Sequence, residues 1–580
     1  MTETIIGIDL GTTHSEVAAV RNGRVELIDV EGARLMPSVV GLDDDGQLLV
    51  GQAARNQQAL RPERTVRSVK RRMGEDVRIP LGEQEYTPQE LSAVLLSRLR
   101  QAAEAWLGEP VQRAVITVPA YFSDAQRQAT RDAGALAGLD VARIINEPTA
   151  AALAYESGDT QRCHTLVYDL GGGTFDVSVV RLEQDVVEVL SSHGNNHLGG
   201  DDLDALIIDH LRAHVKEEHG LDPADDPRAM ARLARAAEAA KIELSSAPFA
   251  RIEEAYLLEG REGPIHLRLE LTRADYESLI EPYLQETLDA VHTALEGAGL
   301  TIGDLDEIIL VGGSTRTPLI QRRLEALTGL TPRCELDPDL CVAMGAATQA
   351  AALAGQRVSG MLVDVTPYTF GTSAIAELDG ERYPYCFIPI IRKNTPIPVT
   401  RSEAFFTSYD GQEAIDVRVF QGEDPDALNN TQIGSYRIEG LSDVPAGNVI
   451  VTTFSLDADG ILHVSSEEKL TGKQKQITID SAAARFEREE MGAAQERLQA
   501  LLGEEAAAPA AAAGTTAGAT DEAEQLIQRA ERLLEAATPE DREDLVDAIE
   551  ALREAMERDD PEAREASRQS LSDLVLYLEA

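Results

Sequence analysis

Two short strings in this chain carry the residue types that a phosphate group and a metal ion require: Asp9-Leu10-Gly11-Thr12-Thr13 and Asp169-Leu170-Gly171-Gly172-Gly173-Thr174. Glycine lets the backbone approach a phosphate closely, and successive N–H groups in such a turn form an anion-binding concavity. Threonine hydroxyls add hydrogen bonds. Aspartate repels phosphate, so Asp9 and Asp169 point instead to magnesium, which keeps several waters and needs one or two carboxylates. One such turn is an ordinary strand end. Two matched copies about 160 residues apart indicate a nucleotide cleft.

A third glycine turn, Gly312-Gly313-Ser314-Thr315-Arg316, follows another apolar run. Glu238, Lys241 and Ser245 share one face of a helical stretch. Alone that face reads as a solvated charge stripe, but beside three phosphate-type turns it reads as the nucleoside end of the cleft.

The elements that must position these residues alternate. Up to residue 357, β-type runs such as 4–8, 114–118, 165–168 and 307–311 are separated by helical stretches such as 88–106 and 229–244, an α/β pattern. Residues 5–13 and 166–174 share the order apolar strand, aspartate, glycine turn, threonine, and each continues into another strand-like run, which predicts a duplicated fold with a cleft between its halves. Residues 358–365 form a short apolar linker. From 366 to 480 the period becomes two: Ile415, Val417 and Val419 alternate with Asp416 and Arg418, as Ile477 and Ile479 also do, and Asp459-Gly460 supplies a hairpin turn, so this is a compact antiparallel β domain. Residues 481–502 begin a helical segment. Residues 503–520 are Ala-, Gly- and Thr-rich and read as a tether reaching roughly 20–25 Å. Amphipathic faces at Leu526–Leu534, Leu545–Leu552 and Leu571–Leu578 predict an acidic three-helix bundle over 521–580.

Composition narrows the function class. The net charge of −47 argues against nucleic acid, which demands clustered Lys and Arg. No apolar run reaches the roughly 18 residues of a membrane span and no signal pattern opens the chain, so we expect a cytoplasmic protein without membrane partners. Cys163, Cys334, Cys341 and Cys386 form no CxxC pair and read as free thiols.

The sequence resembles the DnaK, or heat shock protein 70, chaperone family. The resemblance rests on Ile-Gly-Ile-Asp-Leu-Gly-Thr-Thr, Ile-Thr-Val-Pro-Ala-Tyr-Phe, Ile-Ile-Asn-Glu-Pro-Thr-Ala-Ala-Ala-Leu-Ala-Tyr, Tyr-Asp-Leu-Gly-Gly-Gly-Thr-Phe-Asp, Val-Gly-Gly-Ser-Thr-Arg and Asp-Ala-Asp-Gly-Ile-Leu-His-Val-Ser, between residue 5 and about 480. It implies an actin-like (ribonuclease H-like, duplicated) α/β ATPase domain, a β-sandwich that binds extended apolar segments of unfolded proteins, and a C-terminal helical lid. It implies ATP/ADP and Mg2+ as ligands, K+ as companion cation, a J-domain cochaperone as partner, and a monomer.

Residue by residue, the resemblance implies that Gly11, Thr12, Thr13, His14, Gly172, Gly173 and Thr174 hold phosphates, with Asp9 and Asp169 orienting the metal through water. Lys70 would meet the γ-phosphate and position the attacking water, assisted by Glu147, Thr174 and Asp176. Glu238, Lys241, Ser245, Gly313, Ser314, Thr315, Arg316 and Asp339 would hold the nucleoside end. Pro119 and Arg127 would relay nucleotide state, Arg143 and Asp364 would sit where a J-domain engages, and Thr372, Ile375, Phe405, Ser408, Ile415 and Val417 would line the peptide groove. Periodicity alone makes Phe405 and Val417 core.

The chain also departs from the family pattern. His14 stands where Asn or Tyr is usual, which favours a backbone role for it. The stretch between Met73 and Thr87 is short, which leaves dependence on a GrpE-type nucleotide exchange factor open. Only about 486–502 is left for the first lid helix before the tether. Residues 386–401 resemble the specialised HscC branch. Two other readings share the cleft: a sugar-kinase-type enzyme, which has no use for residues 366–480, and a relative whose hydrolysis is unimportant, against which Lys70 and Thr174 weigh.

Overall fold

The computed structural model describes residues 4–155, 162–183, 186–260, 263–333, 335–356, 361–472, 474–478 and 488–502. The tether and the three-helix bundle expected over 503–580 lie outside these residues, as do Cys334 and Ile479.

Two sheets carry the two Asp-Leu-Gly strings, and they are built alike. In the first, Ile5–Asp9 pairs parallel with Arg113–Val118 on one side and antiparallel with His14–Arg21 on the other, which continues to Arg24–Ile28. In the second, Cys163–Leu170 pairs parallel with Glu307–Val311 and antiparallel with Phe175–Glu183, which continues to Val186–Asn195. Both central strands are buried on both faces, which is why they read as unbroken apolar runs rather than as alternation.

Two helices rich in small residues, Glu147–Tyr155 and Cys341–Leu353, lie against each other between the sheets. A Cβ at Gly345 would collide with the carbonyl of Ala150, so glycine there sets how closely the helices approach. The helix Pro88–Leu107 starts with a capping box, in which Thr87 accepts from the Glu90 N–H and the Glu90 carboxylate from the Thr87 N–H. The helix Pro227–Ser246 starts on Asp226, whose side chain accepts from the Arg228 and Ala229 N–H groups.

The apolar linker is partly a strand. Met361–Val365 pairs parallel with Val186–Asn195 and, on its other edge, antiparallel with Pro396–Ile397, so the second sheet ends on the β domain's own chain. Beyond it, four strands (Glu381–Ile391, Phe370–Leu378, Ala414–Gln421, Thr431–Glu439) face four others (Val399–Phe406, Val449–Leu456, Leu462–Glu468, Gln474–Thr478). Phe370, Val419, Ile438, Phe454, Leu462 and Val464 fill the space between. Strict alternation of burial along Val449–Leu456 reflects this one-sided packing. Gly460, with φ +78°, supplies the left-handed residue in the turn at Asp459-Gly460.

The helix Arg488–Leu502 packs on the helices Pro88–Leu107 and Asp124–Leu136. Ala494 and Leu498 are buried in the core formed by Pro88–Leu107 and its sheet, and the Arg497 Nε donates to Glu90 Oε1 at 2.7 Å. Among the described residues Cys163, Cys341 and Cys386 are free thiols, and no helix is long and apolar enough to cross a membrane.

Candidate functional site

Each duplicated unit delivers two acidic residues to the same place. Register sets Asp9 opposite Glu16 and Asp169 opposite Asp176, so in both copies the aspartate that ends one strand lies beside a carboxylate of the next. The two units meet turn to turn. The Gly200 N–H donates to the Gly171 carbonyl at 2.9 Å and the Asp201 N–H to the Gly172 carbonyl at 2.7 Å. A Cβ on Gly172 would collide with the side chain of Thr13, so the two turns approach as closely as glycine permits.

Between them is a cavity of about 70 Å³ lined by Asp9, Gly11, Thr12, Thr13, His14, Glu16, Lys70, Glu147, Asp169, Gly171, Gly172, Thr174, Gly313 and Asp339, among others. It is sized for phosphate groups. Five of the described lining residues are carboxylates and one is a lysine. Lys70 is buried and paired with Glu147, and its ammonium also lies over the Phe122 ring at 5.8 Å. Thr117 donates to Asp9 Oδ1 at 2.7 Å, and the Ala120 and Tyr121 N–H groups donate to Asp176 at 3.2 and 3.1 Å.

The charge balance of this cavity is unfavourable to the carboxylates. Burial, with Glu147, Asp176 and Asp9 nearby, pushes Asp169 well above the ordinary range, against the pull of Lys70. Burial raises Glu147 to about 7 although Lys70 works the other way. Burial likewise takes Asp176 to about 7 against its two backbone donors. Burial opposes the charge on Lys70, but Glu147, Asp9 and Asp169 outweigh it and raise the ammonium. Such a donor set, hard oxygens in excess of positive charge beside glycine-lined anion pockets, fits a hydrated divalent cation accompanied by phosphates.

At the other end, the Arg55 guanidinium joins both lobes. It pairs with Glu238 at 2.8 Å and donates to His14 Nε2 at 3.3 Å. His14 is held below its usual pKa by burial and by Arg55, in keeping with an accepting ring nitrogen. Lys241 pairs with Asp204 at 2.8 Å and donates to the Gly200 carbonyl, and Ser245 donates to the Lys241 carbonyl at 3.3 Å. Ser314 donates to the Gly171 carbonyl at 3.0 Å and Thr315 to the Gly312 carbonyl at 2.7 Å, while Arg316 is held by Asp337 and Asp339. Lys241, Ser245, Ser314, Thr315 and Arg316 therefore shape the wall of the cleft without lining the phosphate cavity.

From the cleft a connected series of polar contacts leads outward. Asp176 holds Ala120 and Tyr121, the residues after Pro119. Arg127, fully buried, donates to the Ala120 carbonyl at 3.1 Å and to Asn146 Oδ1 at 2.7 Å. Asn146 donates to Asp364 Oδ2 at 2.8 Å, and Thr149 to the same oxygen at 3.3 Å. The β domain closes the series. Asp459 accepts from the Ile144 N–H at 3.0 Å and pairs with Arg131, and the Leu462 N–H donates to Asp124 at 3.0 Å. The Tyr368 hydroxyl donates to the Tyr121 carbonyl at 2.6 Å. Asp364 is thus buried and faces Asn146 and Thr149 rather than solvent. Arg143 is half-buried with Asp364 and Asp457 near it, and burial lowers its pKa.

All six expected groove residues line one depression of about 460 Å³ in the β domain, with Ala404, Phe406, Glu403 and Asp416 beside them. Their environments differ. Ile375 and Phe406 are exposed, Phe405 and Ile415 half-buried, and Val417 belongs to the core. The Thr372 hydroxyl is committed to the Arg418 carbonyl at 2.7 Å.

The family description "Hsp70 protein" matches residues 5–81 and 75–579 of this sequence. The chain belongs to the Hsp70 family. Hsp70 proteins are ATPases and ATP-dependent chaperones that bind unfolded protein, and so is this one. It is 47% identical over 487 residues to the "Chaperone protein DnaK" of Thermosipho melanesiensis and to that of Thermosipho africanus, with 82% of this chain and 80% of each relative covered. It is 46% identical over 488 residues to the "Chaperone protein DnaK" of Thermotoga neapolitana, with the same coverage.

Several residues of this Hsp70 site escape motif reading. Arg55, Asn146 and Arg131 act through partners far away in sequence, which spacing does not reveal. Gly199-Gly200 was visible as a glycine pair and Glu16 as the counterpart of Asp176 in the repeat, seven residues after its aspartate in both copies.

Proposed function

We propose that the chain works as a two-part switch: an actin-like, duplicated ATPase domain over 1–357 that governs, through the linker 358–365, a peptide groove in the β-sandwich 366–480. Residues 481–502 begin the helical lid, 503–520 tether it and 521–580 form its bundle. The observation that carries this reading is the continuous contact series from Asp176 through Ala120, Arg127 and Asn146 to Asp364, with Asp459 attaching the sandwich at its end. A change in the cleft that moves the segment around Pro119 must disturb every later contact, and reciprocity requires that sandwich movement be felt in the cleft.

In the hydrolysis step, water attacks the γ-phosphorus, the bond to the β–γ bridging oxygen breaks with its electron pair leaving on ADP, and the proton that the water loses passes to a phosphate oxygen. Lys70 places and orients that water while Glu147 fixes the ammonium. Asp176 and Thr174 assist, and the glycine turns at Gly11–His14 and Gly172–Thr174 hold the phosphates through N–H groups. Asp9 and Asp169 would hold Mg2+ through water, with K+ as companion cation. The metal supplies positive charge against the charge that develops on the transferred phosphoryl group. Glu238, Lys241, Ser245 and Gly313–Arg316, with Asp339, border the nucleoside.

Client segments bind extended in the groove, with Ile375, Phe405 and Ile415 receiving an apolar side chain and Glu403 and Asp416 favouring basic flanks. A J-domain protein acts at Arg143 and the linker, and the chain works as a cytoplasmic monomer without nucleic acid. The short hairpin Ile79–Leu81/Gln84–Tyr86 fills the stretch between Met73 and Thr87, which leaves dependence on a GrpE-type exchange factor open. The deciding experiment measures ATP turnover alone, with an unfolded peptide and with a J-domain protein. Joint stimulation by both is expected; turnover indifferent to both would remove the switch and leave an ATPase.

A further inference from the structure

We propose that Glu16 is a third acidic residue of the divalent-cation site, holding the ion together with Asp9 and Asp169; this rests on the assignment of those two aspartates to the metal. Three observations lead to it. Glu16 is 2% exposed and lines the phosphate cavity rather than the apolar core. Its Oε2 is buried with no hydrogen-bond partner, and Asp9 lies opposite it in register. Register makes it the counterpart of Asp176 in the duplicated fold.

The comparison with Asp176 gives the argument its direction. Asp176 is satisfied by two backbone N–H groups and does not line the cavity, so its negative charge is anchored to the protein. Glu16 occupies the equivalent place without such donors and reaches the cavity by one more methylene. Two acidic groups side by side in a buried site are held there at a cost unless a cation joins them. Lys70 is already paired with Glu147. A hydrated divalent ion held at Asp9 and Asp169 would supply the missing partner, meeting Glu16 through one of its waters.

The test uses the full-length protein saturated with ADP and Mn2+ as the probe, with free and bound ion quantified by electron paramagnetic resonance. Glu16→Gln should weaken Mn2+ binding about tenfold or more, the range expected when a group supporting a metal site is neutralised. Glu16→Asp, which keeps the charge but shortens the reach, should fall between. Two further readings separate a metal role from a merely structural one. ADP affinity in EDTA should not weaken in Glu16→Gln, and the metal-free variant should melt at a temperature no lower than that of the parent. Unchanged Mn2+ affinity in Glu16→Gln, with Asp9→Asn weakened, overturns this inference alone. Unchanged affinity in both variants overturns the assignment of Asp9 as well. Parallel loss of ADP binding in EDTA overturns the inference in favour of a packing role.

Discussion

The proposed nucleotide cleft and the proposed peptide groove solve opposite problems. The cleft is buried and charge-dense, with Asp9, Lys70, Glu147, Asp169 and Asp176 each at most 9% exposed, and Lys70, Glu147 and Asp176 bound to named partners. The groove is open, and its prominent side chains, Ile375 and Phe406, are 48% and 63% exposed without polar ties. Preorganised charge suits chemistry on one fixed substrate, because each donor acts at full strength in a dry site. Loose apolar surface suits many clients, because area rather than geometry supplies the affinity. The difference teaches that the sensitivity to substitution should be steep at one end of the molecule and shallow at the other.

The sharpest break in that comparison is Lys70→Ala. It leaves Glu147 buried without its cation, and single-turnover ATP hydrolysis should fall by about 10²–10³, as for removal of a preorganised electrostatic group. Next comes a place where the β domain behaves like the cleft. Glu468 is fully buried; burial alone would raise its pKa, but the Thr471 hydroxyl, the Ser442 N–H and the Asn448 amide hold it at about 2. Glu468→Gln should cost the sandwich about 1–3 kcal/mol in urea unfolding, since it replaces a charge-assisted acceptor. Because the folded value lies below the ordinary 4.5, the parent's contribution from this group is complete above pH 4.5 and is lost as pH falls toward 2. The variant should lack that acid-side loss.

Between the two regions, Asp459→Ala removes the Arg131 pair and the acceptor for the Ile144 N–H. Peptide release on adding ATP should slow about tenfold, a coupling of roughly 1–2 kcal/mol, with basal hydrolysis nearly unchanged. In the groove, Ile375→Ser should weaken an apolar peptide by only about fivefold in a fluorescence titration, the loss of part of one side chain's buried area. The smallest effect is at the cleft's mouth. Arg55→Ala breaks a partly exposed pair with Glu238, worth about 0.2–1 kcal/mol, and should speed ADP release no more than about fivefold in stopped flow.

Much of the ATPase architecture was legible because each strand carries its own signal. The runs ending at Asp9 and Asp169 are apolar on both faces and stop at glycine, and the period-two segment around Val417 announces a sandwich face. What stayed hidden is long-range pairing. Asp459 reads in sequence as a turn residue, and only the fold reveals that it reaches Arg131 and Ile144, more than 300 positions earlier. The linker was legible as apolar but not as a strand, since five residues carry no periodicity that distinguishes the two. The 386–401 string, read as a mark of the HscC branch, contributes the end of one sandwich strand and the pair Pro396–Ile397 that borders the linker.

The position of Met361–Val365 has one further consequence. It lies between Val186–Asn195 and the edge pair Pro396–Ile397 in the sheet that begins at Glu307–Val311, so any state in which the linker withdraws uncovers the backbone donors and acceptors of Val186–Glu188. An open rim is a template for any extended chain, including the client segments this protein exists to restrain. A linker seated in the sheet is therefore also a cover over backbone that an extended chain could otherwise pair with.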